Sequence, residues 1–108
     1  MNDSGDTFLL IKNKIGEVLP NAKVFLFGSR ANDYANDESD WDILILTQDK
    51  PDNTIKKLIH DILFPISVNI AAFIDTVIVS ETDWNNDPSY YSLHQSVSSE
   101  KIFSTDMV

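Results

Sequence analysis

The stretch Phe25–Leu46, FLFGSRANDYANDESDWDILIL, decides how the fold is read. It opens with an apolar run, breaks at Gly28-Ser29, crosses a polar interval and becomes apolar again at Trp41. The first run, Lys23 to Gly28, reads as a short buried strand ended by glycine. The second, Trp41 to Thr47, is apolar at nearly every position after Asp42, so both of its faces are expected to be covered. Five carboxylates fall within ten residues from this interval into the second run: Asp33, Asp37, Glu38, Asp40 and Asp42. The first three suit a solvated loop. Asp40 and Asp42 stand at the mouth of a segment that must be buried, and ask for another explanation.

Outward from this stretch, Phe8, Ile11, Ile15, Val18 and Leu19 recur at helical spacing until Pro20-Asn21 stops the pattern. Asp52 or Asn53 is placed to cap a helix with apolar positions Ile55, Ile59, Ile62, Leu63 and Ile66. Pro65 is expected to kink or end it. FIDTVIVS, residues 73–80, is a third strand rich in β-branched residues. A short helix is expected near Arg30-Ala31, and a last helix from about Pro88 or Ser89. The alternation implies an α/β (α+β) domain, a small mixed β-sheet of three or more strands packed against helices, with residues 1–108 as one domain.

Composition narrows the function. The net charge is −9, and the eight basic residues, from Lys12 to Lys101, form no patch in the sequence. Duplex nucleic acid is therefore a poor partner, because phosphate contacts need clustered Lys and Arg. A polyphosphate remains compatible if divalent cations stand between the two sets of negative charge. There are no cysteines, which excludes disulfides, thiolate zinc sites and thiol catalysis. The acidic start MNDSGDTFLL lacks the basic region of a signal peptide, and no window approaches the roughly 20 apolar residues that span a bilayer. The expectation is a soluble cytoplasmic protein with no membrane partner.

Asp40 and Asp42 lie two apart, so on a strand they share a face with Cα atoms roughly 6.5–7 Å apart. Two carboxylates so close repel, and a hard divalent cation such as Mg²⁺ removes the conflict. Taken alone, a D-x-D this short is more readily explained as part of the solvated acidic loop from Asp33 to Glu38. Asp75, in FIDTVIV, alternates with Phe73, Val77 and Val79, a face where an acid needs a partner. If the third strand neighbours the second, Asp75 joins Asp40 and Asp42. If it does not, Asp75 caps an amide or pairs with a lysine. Gly28 permits close approach to the backbone, Ser29 is a natural helix N-cap, and Arg30 can add a charge-assisted bond to phosphate. His60 and His94 read as surface residues without zinc spacing. Trp84, Tyr90 and Tyr91 read as core or interface aromatics.

The pattern of Gly28, Ser29, Asp40, Asp42 and Asp75 resembles the DNA polymerase beta-like nucleotidyltransferase superfamily. Within it the closer likeness is to the minimal nucleotidyltransferases, through FGSRANDYANDESDWDILIL and IDTVIVSETDW, over roughly residues 5–103. The resemblance implies that Asp40, Asp42 and Asp75 bind two Mg²⁺ ions, with Asp75 also orienting or deprotonating an acceptor hydroxyl. It implies that Gly28, Ser29 and Arg30 hold the phosphates of ATP or another nucleoside triphosphate. The activity implied is transfer of NMP, AMP from ATP first, to a hydroxyl on a protein or small molecule. Members of this kind pair with helical HEPN-type proteins as antitoxins, and an acceptor site completed by such a partner or by a homo-oligomer mate is the expectation. The alternative is a non-catalytic, antitoxin-like module acting by occlusion. An aminoglycoside-modifying enzyme comes third, since the second domain such enzymes carry has no room here. Asp33 stands where the family often has glycine, Asn32 and Asn36 where a basic residue is common, and Trp41 replaces an aliphatic residue. The missing positive charge implies either a weaker grip on a triphosphate or an altered donor.

Overall fold

The structure is a computed structural model and describes residues 4–27 and 40–99. The elements run α1 (Ser4–Val18), β1 (Lys23–Phe27), β2 (Trp41–Thr47), α2 (Asn53–Ile70), β3 (Ile74–Ser80), α3 (Glu81–Asn86), a 3₁₀ turn (Pro88–Tyr90) and α4 (Tyr91–Ser99). Gly28, Ser29, Arg30, Asn32, Asp33 and Asn36, with the short helix expected near Arg30, lie outside the described residues.

The sheet has the order β1-β2-β3. β1 pairs antiparallel with β2, and β2 pairs parallel with β3, so the sheet is mixed. β2 is central, which is why its apolar run has no polar face: Ile43, Leu44 and Ile45 are each at most 1% exposed. Alternation sends Val24, Leu26, Trp41, Ile43 and Ile45 to one face, where Ile11 and Ile15 of α1 and Ile59, Leu63 and Ile66 of α2 cover them. Leu44, Leu46 and Val79 face the other way and pack with Phe25, Phe27, Val77, Trp84, Tyr90 and Leu93. The molecule is thus a sheet between two helical layers, the second one thinner.

Local chemistry explains the helix ends. Asp52 caps α2, its Oδ1 accepting the Ile55 N–H at 2.9 Å. Pro65 does not end α2, which continues through it to Ile70. It sits on the exposed side of the helix, so the Asp61 carbonyl that loses its helical donor can turn to water. The helix ends five residues later in a Schellman motif. The Ala72 N–H donates to Ser67 O and the Ala71 N–H to Val68 O, with Ala71 left-handed at φ 56°. ETDWNN folds as α3, a helix that the sequence reading passed over, capped by Ser80 Oγ accepting from the Asp83 N–H at 3.1 Å. Among the described residues, no helix is long and apolar enough to cross a membrane.

Candidate active site

The second face of the sheet reads rung by rung. Phe25, Leu44 and Val77 align across the three strands as an apolar rung. The next rung toward the start of β2 is Phe27, Asp42 and Asp75. Register alone therefore sets Asp42 directly beside Asp75 on adjacent parallel strands, about 4.8 Å apart across the ladder. The expectation that the third strand neighbours the second holds, and with it the approach of these two acids.

Burial corrects part of the sequence argument. Asp75 was expected on a covered face, yet it is exposed, as is Phe73 before it. The layer formed by Trp84, Tyr90 and Leu93 packs on the rungs of Leu44, Leu46, Val77 and Val79. An acid on the uncovered rung needs no buried partner. Asp42, on the central strand, is half-buried.

Asp40 is placed differently. The ladder begins at Trp41, whose N–H donates to Phe73 O at 2.9 Å. Asp40 precedes that bond, so strand alternation does not fix its side chain beside Asp42. It is exposed and borders a groove with Phe64, Val68 and Phe73. Among the described residues, no three His, Asp or Glu side chains gather closely enough to hold a metal ion. The structure brings together Asp42 and Asp75; it leaves Asp40 at their edge. As donors, the carboxylates of two residues paired on one rung suit a hard divalent cation, which would neutralise their repulsion.

Trp41 points away from the acids into the core, 2% exposed, as alternation required. His60 is a surface residue, near Asp61 and stacked on Phe64. Lys57 donates a hydrogen bond to Asp61 at 2.8 Å and holds that carboxyl below its ordinary pKa. His94 is a correction: it is half-buried, its ring centroid 4.2 Å from that of Trp84 and its Nε2 bonded to the Trp84 carbonyl. Trp84 and Tyr90 pack against the second apolar cluster, while Tyr91 is 51% exposed. The groove residues Phe64 and Val68 went unread in the sequence. The signal was present: both fall off the Ile59–Leu63–Ile66 stripe of α2.

The family model for polymerase beta nucleotidyltransferases matches residues 13–106. No curated protein matches the chain.

Proposed function

The chain belongs to the polymerase beta nucleotidyltransferase family, and from that premise we propose that it is a Mg²⁺-dependent enzyme transferring AMP from ATP to a hydroxyl on a protein or small molecule. The observation that carries this reading is the rung on which Asp42 faces Asp75. Asp40, Asp42 and Asp75 would hold the divalent ions, which supply charge neutralisation to the phosphates when bound.

The chain's own residues have distinct tasks. β1 ends at Phe27, the partner of Asp42, and the phosphate grip is assigned to Gly28, Ser29 and Arg30, which come next in sequence. Asp75, exposed on the opposite side, is accessible to an entering acceptor. In the reaction the acceptor oxygen forms a bond to the α-phosphorus and the bond from that phosphorus to the pyrophosphate oxygen breaks. The hydroxyl proton passes to the Asp75 carboxylate, and pyrophosphate leaves with the bonding electron pair. A role as the antitoxin of a HEPN-type partner is compatible with this chemistry, the hydroxyl then belonging to the partner.

Melting the protein with millimolar Mg²⁺ and ATP tests the reading. The pair together should raise the melting temperature, and Asp42→Asn should remove the joint effect. Absence of any shift in the native protein counts against catalysis and favours a module that acts by occlusion. Incubation of the native chain with labelled ATP and a cell extract then identifies the acceptor by its label.

A further inference from the structure

The outer side of β3 is an open sheet edge. β2 runs along one side of the strand, and among the described residues no strand lies along the other. One bond fixes which backbone groups face outward. Trp41, the ladder partner of Ile74, donates its N–H to Phe73 O. In a parallel ladder this pattern recurs at every second residue, so Asp75, Val77 and Val79 direct their N–H and C=O to β2. Ile74, Thr76 and Ile78 direct theirs to the open side. Natural edges are guarded by lysine, proline, a bulge or a covering element. IDTVIVS has no lysine or proline, its register with β2 runs without a bulge, and Ile74, Thr76 and Ile78 are only half-buried.

Apolar side chains flank the same edge. Phe64 on α2 is 58% exposed, and Phe73, just before β3, is 76% exposed. Large apolar groups gathered on a surface mark a place where something else binds. On the α2 face, a hollow of about 200 Å³ between helix and strand is lined by Leu63, Phe64, Phe73, Ile74 and Thr76, and its titratable side chain is His60.

Symmetry and charge select the occupant. Antiparallel pairing about a two-fold axis perpendicular to the sheet lays the outward N–H and C=O groups of one β3 against those of another, the same patch serving both copies. The axis keeps α2 on one face in both copies, so the two hollows meet beside the joined edge, each with its Phe64. In a chain with 17 acids, β3 carries one, Asp75. A register centred on Asp75 would set the two acids opposite each other at about 5 Å. A register centred on Val77 overlaps Ile74–Ser80 in full and sets Asp75 opposite the partner's Val79. The partner's Asp75 then lies four residues along, at about 3.4 Å each, and about 4.8 Å across, which is about 14 Å away. That exceeds the screening length of about 8 Å at physiological ionic strength. We infer that β3 pairs antiparallel with β3 of a second copy, in the register centred on Val77, to make one continuous sheet. The bonds lie in the plane of the sheet while the Asp75 side chain stands out of it, so the acid rung stays open. The interface goes beyond the transferase reading and does not rest on it.

Sedimentation of the full chain at tens of micromolar, with amide hydrogen exchange by NMR, tests the interface. The native chain should sediment as a dimer, with the Thr76 and Ile78 amides protected as well as those of Val77 and Val79. Thr76→Pro removes an outward N–H that β2 does not use, a place where an edge strand tolerates proline. It should give a folded monomer in which the Val77 and Val79 amides stay protected and that of Ile78 exchanges freely. Phe64→Ser should weaken the dimer about tenfold, and it carries the comparison if Thr76→Pro does not fold. Leu9→Ser, on an α1 leucine that is 50% exposed, should leave the dimer intact. A native monomer overturns the assignment and leaves the edge to an extended segment of another protein. So does a dimer that survives both β3-edge variants, one lost equally in Leu9→Ser, or one whose Thr76 and Ile78 amides exchange freely. Assemblies larger than two also overturn it, because two-fold pairing of this edge closes at the dimer.

Discussion

Replacing Asp75 by asparagine should stabilise the metal-free protein. Asp42 and Asp75 occupy one rung of adjacent strands, and two unit charges about 5 Å apart in water repel by about 0.8 kcal/mol. Like charges directly opposite across a sheet destabilise by about 0.2–1 kcal/mol, in agreement. Asparagine keeps the shape and removes one charge. At about 4–8 °C per kcal/mol for a domain near this size, the melting temperature in EDTA should rise by about 3–6 °C. The gain should shrink in about 1 M salt, where the screening length falls to about 3 Å. Mg²⁺ should reverse the order, raising the melting temperature of the native chain more than that of the variant. The assay is thermal melting by circular dichroism in EDTA, in Mg²⁺ and in high salt. A fall in stability in EDTA, or equal stabilisation of both proteins by Mg²⁺, would refute the reasoning, because repulsion across the rung would not then set the balance.

Three further outcomes follow from the local structure. Asp52→Ala removes the acceptor for the Ile55 N–H and should lower stability by about 1 kcal/mol in urea unfolding, an unchanged midpoint contradicting the cap. Ala71→Gly should raise stability by about 0.5–1 kcal/mol in the same assay, since Ala71 holds a left-handed conformation at φ 56° that glycine adopts without strain. The Asp87 carboxylate accepts the Ser89 N–H and then the Ser89 hydroxyl, which together hold its pKa below the ordinary value. Its contribution to stability is therefore complete above the ordinary carboxylate pKa of about 3.9 and is lost as pH falls through the lower folded value. A side-chain carbon NMR titration should give a midpoint below that of an unstructured Asp; a midpoint at or above it removes the interaction.

Sequence alone was enough where one force dominated. WDILILT is β2 to the residue because a run of buried β-branched and aliphatic side chains leaves few other choices. The Asp52 cap and the Ile59–Leu63–Ile66 stripe fix α2 in the same way. The placement of Asp75 beside Asp42 depended on one fact beyond local pattern, that β3 pairs with β2. Misreadings arose where the outcome depended on neighbours. Pro65 was tolerated because its side of the helix is exposed, and α3 formed because Ser80 and the packing of Trp84 support six residues of weak helical pattern. Alternation put Asp75 on the correct face but could not tell how far along the strand that face is covered. Asp40, one residue short of the ladder, escaped the alternation rule altogether.

The central claim is that Asp42 and Asp75, with Asp40, share a divalent ion beside a nucleotide. The most direct measurement is a crystal structure with Mn²⁺ and a non-hydrolysable ATP analogue, locating the metal by its anomalous signal. The account predicts a peak contacting carboxylate oxygens of Asp42 and Asp75, with Asp40 drawn in and the triphosphate running toward the Phe27 side. A metal and nucleotide bound elsewhere, or a peak that leaves Asp75 uncoordinated, would contradict it.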